Sequence, residues 1–365
     1  MTEPLRRTPL YAEHVALGAR LVPFGGFEMP VQYASVLKEH EAVRKRAGLF
    51  DLSHMAQFEL RGEGVAEWAD RLTINAVGTM KPFQARYNVF CNERGGALDD
   101  VLFYRLPDRW LLVVNASNAE KMWRYLLEQN DRPDVRLDNL HGVRALIAVQ
   151  GPRAVEIVAS LCASDVRAMK YYTCAEGLVD GVPALIARTG YTGEDGFELF
   201  VEGETAVPLW RKLLAAGASA GLEAAGLGAR DVLRLEAGMP LYGHEMDEEI
   251  SPVAAGQAWA LKLGKPAFVG KDALAAQLAE DRYDRIAGLV LAERVPARAG
   301  YRVFLGEQVA GEVRSASIAP SVGNRQIATA LLAKDAAAIG TELTVEIRGR
   351  RYAAGVVELP FYKRA

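Results

Sequence analysis

The sequence predicts an α+β protein whose C-terminal part is all β. Three observations carry that expectation. Residues 85–115 alternate apolar and polar side chains in short runs separated by turn residues, the pattern of an antiparallel meander. Two later passages run from a strand into a helix, Leu146–Val149 into Pro152–Leu161 and Phe197–Val201 into Ala206–Leu214. After about residue 283, β-branched runs such as Val303-Phe304-Leu305 and Val345-Glu346-Ile347 alternate with turns, without any long helical pattern. Hairpins this frequent argue against a doubly wound parallel sheet.

Taken in order, Thr8-Pro9 reads as a helix start, a cap hydroxyl before proline at the first helical position, with an amphipathic stretch to about Leu21. Ser35 opens a second helix expected to stop at Gly48. Phe58 and Leu60 with the turn at Gly62 form a strand, and a helix follows around Val65–Leu72. In the meander, Arg86–Asn92, Ala97–Tyr104 and Trp110–Val114 are strands; Glu93-Arg94-Gly95-Gly96 and Leu106-Pro107-Asp108 are turns. Gly226 to Gly238 reads as a helix opened and closed by glycine, with Arg230 and Arg234 on one face. No internal repeat, low-complexity tract or long linker is visible in the residues.

The 365 residues suit roughly two or three domains of ~100–200 residues. Lys plus Arg (43) nearly balance Asp plus Glu (46), and a net charge of −3 argues against nucleic acid as the main partner. No apolar run approaches the ~18 residues of a membrane span. Met1-Thr2-Glu3-Pro4-Leu5-Arg6-Arg7 has no apolar region behind it, so a secretory signal is not expected and the arginines read as an exposed tail. Cys91, Cys162 and Cys174 lack C-x-x-C spacing, which suits a reducing compartment, and Cys91 reads as a small buried residue. Dinucleotide, P-loop, serine-elbow and H-E-x-x-H motifs are missing, and the five histidines have no ligand spacing. Carboxylates, tyrosines and an organic ligand are left to carry any chemistry.

Three segments stand out. Asp99 and Asp100 interrupt an apolar strand and point to opposite faces; both faces are apolar, so at least one carboxylate sits in a poorly hydrated place. Alternation does not say which one faces a cavity. Glu198, just after the glycine-rich turn Thr189-Gly190-Tyr191-Thr192-Gly193-Glu194-Asp195-Gly196, interrupts another apolar run. It is either an edge-strand glutamate facing water or a carboxylate that accepts paired N–H donors of a heterocycle. Arg230 either joins a solvated ion-pair network with Arg234 and Asp231 or anchors an anionic or carbonyl-bearing ligand.

Together these segments resemble the aminomethyltransferase family, the glycine cleavage T-proteins. The similarity runs through nearly the whole chain: Arg7-Thr8-Pro9-Leu10, Gly25-Gly26-Phe27-Glu28-Met29-Pro30, Gly48-Leu49-Phe50-Asp51-Leu52-Ser53-His54-Met55, the Asp99-Asp100 hairpin, Val113-Val114-Asn115-Ala116, Gln150-Gly151-Pro152, Arg188 to Gly196, Gly228 to Gly238, Phe268-Val269-Gly270-Lys271 and Pro360-Phe361-Tyr362. Phe27 stands where the family commonly has tryptophan.

The resemblance implies three domains in a cloverleaf around a central tetrahydrofolate site: residues 1–55 with about 140–250, residues 56–139, and a barrel-like β domain at 283–365, with 251–282 connecting. It implies transfer of a one-carbon unit from the aminomethyl-dihydrolipoyl arm of H-protein to tetrahydrofolate, releasing ammonia and forming methylene-tetrahydrofolate. By position, Asp100 corresponds to the catalytic carboxylate; Glu198, Arg230 and Tyr362 correspond to ligand contacts, with Tyr87, Asn115 and Tyr191 around them. Two rival readings are a folate-binding accessory protein without transferase activity and a stand-alone folate-dependent demethylase. The accessory proteins carry a cysteine in a K-G-C-Y-x-G-Q-E segment, whereas Lys265-Pro266-Ala267-Phe268-Val269-Gly270-Lys271-Asp272 has none. Flavin-fused demethylating relatives are disfavoured because no flavin fingerprint is present. The implied compartment is the bacterial cytoplasm, or the mitochondrial matrix if a presequence was removed.

Overall fold

The structure, a computed structural model, describes residues 4–364. It is mixed α+β and contains a closed six-stranded barrel. The chain falls into two compact units. One comprises the chain up to Ala69, with Val77–Tyr87 and Val101–Asp231; the other comprises Asp70–Ala76, Asn88–Asp100 and the chain from Val232 onward.

In the first unit a six-stranded sheet runs in the order Cys174–Val179, Val182–Ala187, Gly196–Glu202, Arg144–Gln150, Ala47–Asp51 and Leu222–Ala224. Strand alternation sends Phe197, Leu199 and Val201 to one face, where they pack with Ile157 and Val158 of helix Ala154–Leu161 and with Leu209, Trp210 and Leu213 of helix Ala206–Gly217. Burying side chains of this size stabilises the unit by ~1.5–3 kcal/mol each. Glu198 and Phe200 are left for the opposite face.

A five-stranded sheet has the order Ala85–Cys91, Ala97–Arg105, Trp110–Val114, Ala56–Arg61 and Arg136–Asn139. Its element sequence of strand, helix, 3₁₀ turn, three strands, 3₁₀ turn, helix and strand (residues 56–139) recurs over residues 144–224, with one further 3₁₀ turn, Ala218–Ala220, before the last strand. The strand orders agree too, apart from Ala47–Asp51, which is inserted before the last strand of the second copy. A repeat invisible in the residues is therefore present in the backbone: side chains at matching places need only suit burial and turn geometry. The copies meet at a two-fold-like seam. Gln84 pairs with Thr173, the Ala85 amide donates to the Tyr172 carbonyl at 2.9 Å, and the Cys174 amide donates to the Phe83 carbonyl at 2.8 Å. Phe83 (φ 67°) and Tyr172 (φ 62°) both adopt the left-handed region, which bulky residues rarely occupy.

In the second unit the barrel closes in the order Arg285–Leu291, Arg325–Leu332, Gln308–Ala319, Arg302–Leu305, Glu342–Ile347 and Arg350–Val357. Its inward positions, among them Leu289, Val303, Val313, Ala330, Val345 and Val356, fill the interior.

Three local expectations fail. The first helix spans only Tyr11–Ala16, its cap residue Leu10 makes no side-chain cap bond, and Arg20–Phe24 is a strand. Thr8 is not a cap because its hydroxyl donates to buried Asp51 at 2.7 Å, a tertiary partner outcompeting a local one. The second helix, capped by Ser35, ends at Lys45; Gly48 lies inside the strand Ala47–Asp51 rather than stopping the helix. Of the N-terminal tail, Met1–Glu3 lie outside the described residues, while Arg6 and Arg7 are exposed but held. The Arg6 guanidinium contacts His141 Nδ1 at 3.1 Å and covers the Phe27 ring, and Arg7 pairs with Glu28 at 3.1 Å.

Candidate active site

Glu198 sits on a central strand of the first unit's sheet, paired with Ala187 on one side and Ala148 on the other, and is 7% exposed. That overturns the water-facing edge-strand alternative. Its Oε2 accepts from the Thr189 hydroxyl at 2.5 Å and the Tyr104 hydroxyl at 3.2 Å. The Tyr104 ring meets Phe200 edge-on at 5.2 Å. Burial, reinforced by Glu198, pushes the Tyr104 phenol well above its ordinary range, so it remains a proton donor. Two hydrogen bonds to a charged group supply about 1.5–3 kcal/mol each. A buried ion loses several kcal/mol of hydration, so donors on one oxygen leave the carboxylate under-compensated. No protein group donates to Oε1 among the described residues. A ligand presenting N–H groups would complete this carboxylate.

The loop from Arg188 to Asp195 is braced from outside. Arg188 grips Asp195 with two bonds, of 3.0 and 2.5 Å, and donates to the carbonyls of Arg167 and Met169. Arg44 donates to the Thr192 carbonyl at 2.7 Å and to Glu194 at 2.8 Å. Tyr191 on this loop is half-buried, and the Arg230 guanidinium lies 4.7 Å from its ring centroid, a cation–π stack. Arg230 projects from helix Leu227–Glu236.

Arg234, one turn on, is not part of a solvated network. It is 1% exposed, pairs with Glu245 at 2.9 Å and donates to Ser315 at 2.8 Å. Glu245 also accepts from Thr329 and the Leu241 amide. Burial opposes the Glu245 charge, but Arg234 and the hydroxyl donors hold its carboxyl below the ordinary range.

In the first unit, two buried or half-buried histidines are held neutral. Burial, with Arg230's charge adding to it, pushes the His54 imidazole down to about 4 despite the opposing pull of Asp51. His141 is likewise at about 4, from burial and Arg6. Arg6 has no acceptor, so His141 Nδ1 accepts and Nε2 donates to the His54 carbonyl at 3.1 Å. Asp51 is fully buried; Thr8, the Ser53 amide and His14 at 2.8 Å satisfy it, and against the desolvation these bonds keep its carboxyl low. Burial puts the Cys91 thiol at about 12.

The remaining sequence candidates are distributed as follows. Of the acidic pair, Asp99 is fully buried and Asp100 half-buried on strand Ala97–Arg105. Tyr87 is half-buried on strand Ala85–Cys91, and Asn115 half-buried just after Trp110–Val114. In the second unit the Tyr362 amide donates to the Glu236 carbonyl at 2.8 Å, while the Glu236 side chain binds Ser321 through both oxygens. Within the first unit Tyr191 and Arg230 come together, and Glu198 finds partners that sequence reasoning did not single out, Tyr104 and Thr189. One signal existed: Tyr104 shares the face of Asp100 by alternation.

The first unit thus carries a buried carboxylate held through one oxygen and, on the loop that supplies one of its donors, a tyrosine stacked on an arginine, in a mixed α+β chain that includes a closed barrel. Residues 10–265 match the GCVT N-terminal domain, and residues 285–363 the glycine cleavage T-protein C-terminal barrel domain. The chain is 49% identical to an aminomethyltransferase of Streptomyces coelicolor, covering 99% of this chain and 98% of that one. It is 44% identical to an aminomethyltransferase of Lysinibacillus sphaericus over 100% of both. The crystal structure of glycine cleavage system aminomethyltransferase T from Bartonella henselae superposes with a TM-score of 0.92 at 35% identity, covering 99% of each chain. The chain belongs to the glycine cleavage T-protein family and is an enzyme of its aminomethyltransferase class.

Proposed function

We propose that the enzyme passes a one-carbon unit from the aminomethyl-dihydrolipoyl arm of H-protein to tetrahydrofolate, with release of ammonia and formation of methylene-tetrahydrofolate. The observation that carries the reading is Glu198: a buried carboxylate with one oxygen held by Tyr104 and Thr189 and the other, among the described residues, without a donor. A reduced pterin presents adjacent N–H groups of the kind such an oxygen accepts. Arg230 suits a carbonyl or anionic part of the same ligand, and the Tyr191 ring beneath it limits its freedom. Tyr87, Asn115 and Tyr362 are assigned as further ligand contacts.

Asp100 is assigned the catalytic role. It shares strand and face with Tyr104, which touches Glu198. Tetrahydrofolate supplies the accepting amine nitrogens. Asp100's fixed negative charge would stabilise cationic character developing on the transferred carbon and exchange a proton with the departing amine. The six-stranded sheet, the five-stranded sheet and the barrel support a partition into residues 1–55 with about 140–250, 56–139 and 283–365, with 251–282 connecting. Bacterial relatives and buried free thiols favour a reducing bacterial compartment.

The test measures ammonia release from aminomethylated H-protein with and without tetrahydrofolate, and tetrahydrofolate affinity by calorimetry. Wild type should be strongly stimulated by tetrahydrofolate. Asp100→Asn should lose ~10²–10⁴-fold in kcat while its Kd changes little. Release indifferent to tetrahydrofolate, or an Asp100→Asn enzyme of normal rate, would refute the assignment.

A further inference from the structure

The loop that carries Tyr191 and Thr189 is tied to the sheet by one amide. Gln150 ends strand Arg144–Gln150 and is 1% exposed. Its Nε2 donates to the Thr189 carbonyl at 3.0 Å, and its Oε1 accepts from the Thr192 hydroxyl at 2.9 Å. The amide therefore grips the loop on both sides of Tyr191. The same Thr192 hydroxyl accepts from the Glu194 amide at 3.2 Å, extending the clamp toward the loop's end.

The sequence leaves room for this grip. A Cβ on Gly190 would come within 2.0 Å of Gln150 Oε1, and one on Gly196 within 2.6 Å of its Nε2 and 2.3 Å of the Val149 carbonyl. Gly190 is thus needed for close approach of the Gln150 side chain, and Gly196 for close approach of both that side chain and the Val149 carbonyl, neither for a positive φ. Buried polar atoms spent on holding a loop, instead of on apolar packing, make sense where that loop's conformation matters.

We propose that Gln150 is a positioning residue for ligand binding. Through the Thr189 carbonyl and Thr192 hydroxyl it holds the loop so that Tyr191 lies under Arg230 and the Thr189 hydroxyl reaches Glu198 before any ligand arrives. The inference rests on the assignment of tetrahydrofolate to Glu198 and Arg230 for its binding readout only.

The experiment compares full-length wild type, Gln150→Leu, Thr192→Val, Tyr191→Ala and the double variant Gln150→Leu/Tyr191→Ala. Calorimetry gives the Kd for tetrahydrofolate, steady-state assays give kcat, and a fluorotyrosine placed at position 191 reports loop order by ¹⁹F NMR. If the loop's competent state falls to about a tenth, Gln150→Leu raises Kd about tenfold and leaves kcat within about threefold. The double variant then binds within about twofold of Tyr191→Ala alone, since both changes act through one loop. The fluorine signal, single in wild type, splits or broadens in Gln150→Leu. Should Gln150→Leu fail to fold, Thr192→Val removes one half of the clamp and gives the same changes at smaller size. Unaltered Kd and an unaltered fluorine signal in the folded variants, or additive losses in the double variant, overturn the proposal. Wild type that does not bind tetrahydrofolate sinks the assigned ligand, and the fluorine signal still decides the clamp.

Discussion

The two copies of the repeated element order treat one hairpin differently. In the first copy, strands Ala97–Arg105 and Trp110–Val114 are joined by residues 106–109, with the Leu106 amide bonded to the Arg109 carbonyl. In the second copy the corresponding strands, Val182–Ala187 and Gly196–Glu202, are joined by residues 188–195. An arginine stands at the root of each. Arg105 donates to the Met80 carbonyl and lies over Trp110; Arg188 donates to the Met169 carbonyl but also clamps Asp195. The backbone frame is shared and structural, whereas the longer loop adds Tyr191, Thr189, Thr192 and Glu194. The first copy returns the favour through Tyr104, which supplies a donor to the second copy's Glu198. A repeated scaffold thus gains a second set of polar groups where one turn is lengthened, while the corresponding turn of the other copy is left plain.

Replacing Thr189–Asp195 with the short Leu-Pro-Asp turn of the first copy should have the largest effect. The strand pairing from Ala187↔Glu198 outward lies outside the replaced residues, so the far-ultraviolet circular dichroism should be retained, while tetrahydrofolate affinity falls by about a hundredfold or more, some 2.7 kcal/mol of lost contacts. Retained affinity in a folded variant would break the comparison.

Next in size is an acid effect at the copies' entrances. His54 precedes strand Ala56–Arg61, His141 precedes strand Arg144–Gln150, and the two are bonded to each other. Both sit at about 4 when folded against 6.5 when unfolded. Between those values the unfolded chain binds more protons, so their contribution is complete above pH 6.5 and is lost as pH falls toward 4. Urea denaturation across that range should show a steep decline that flattens in His54→Gln/His141→Gln; an equally steep decline in the variant would contradict the neutral pair.

The smallest expected difference separates Arg188→Met from Arg105→Met. Both lose a guanidinium–carbonyl bond, but only Arg188→Met also loses an ion pair, the two bonds to Asp195. It should cost about 2–3 kcal/mol against about 1 kcal/mol for Arg105→Met, measured by urea midpoints at constant slope. Equal costs would mean that the long loop is not braced by its root arginine.

Much of this was legible in the residues. The meander, helix Val65–Leu72, the two strand–helix passages and the C-terminal β region follow from alternation, helical period and turn residues, all local signals. The oddity of Glu198 was legible because a carboxylate in an apolar run needs partners. The failures share one cause. Thr8 had the chemistry of a cap and Gly48 that of a stop, but buried Asp51 and a fully buried strand claimed them. Arg234 had the spacing of a surface pair and instead became a buried anchor to Glu245. The family resemblance, spread in order along the chain, pointed to the activity class before any geometry.

By itself, then, the sequence determined the kinds of element, the α+β class and the odd polar residues, since each depends on neighbours a few positions away. Tertiary structure alone decided that Glu198 is central and half-satisfied, that Tyr104 and Thr189 are its donors, and that Gln150 holds the loop. Those facts depend on pairings between residues 9 to 94 positions apart, which local patterns do not encode. The backbone repeat is of the same kind: hydrogen-bond geometry preserves it while side chains diverge.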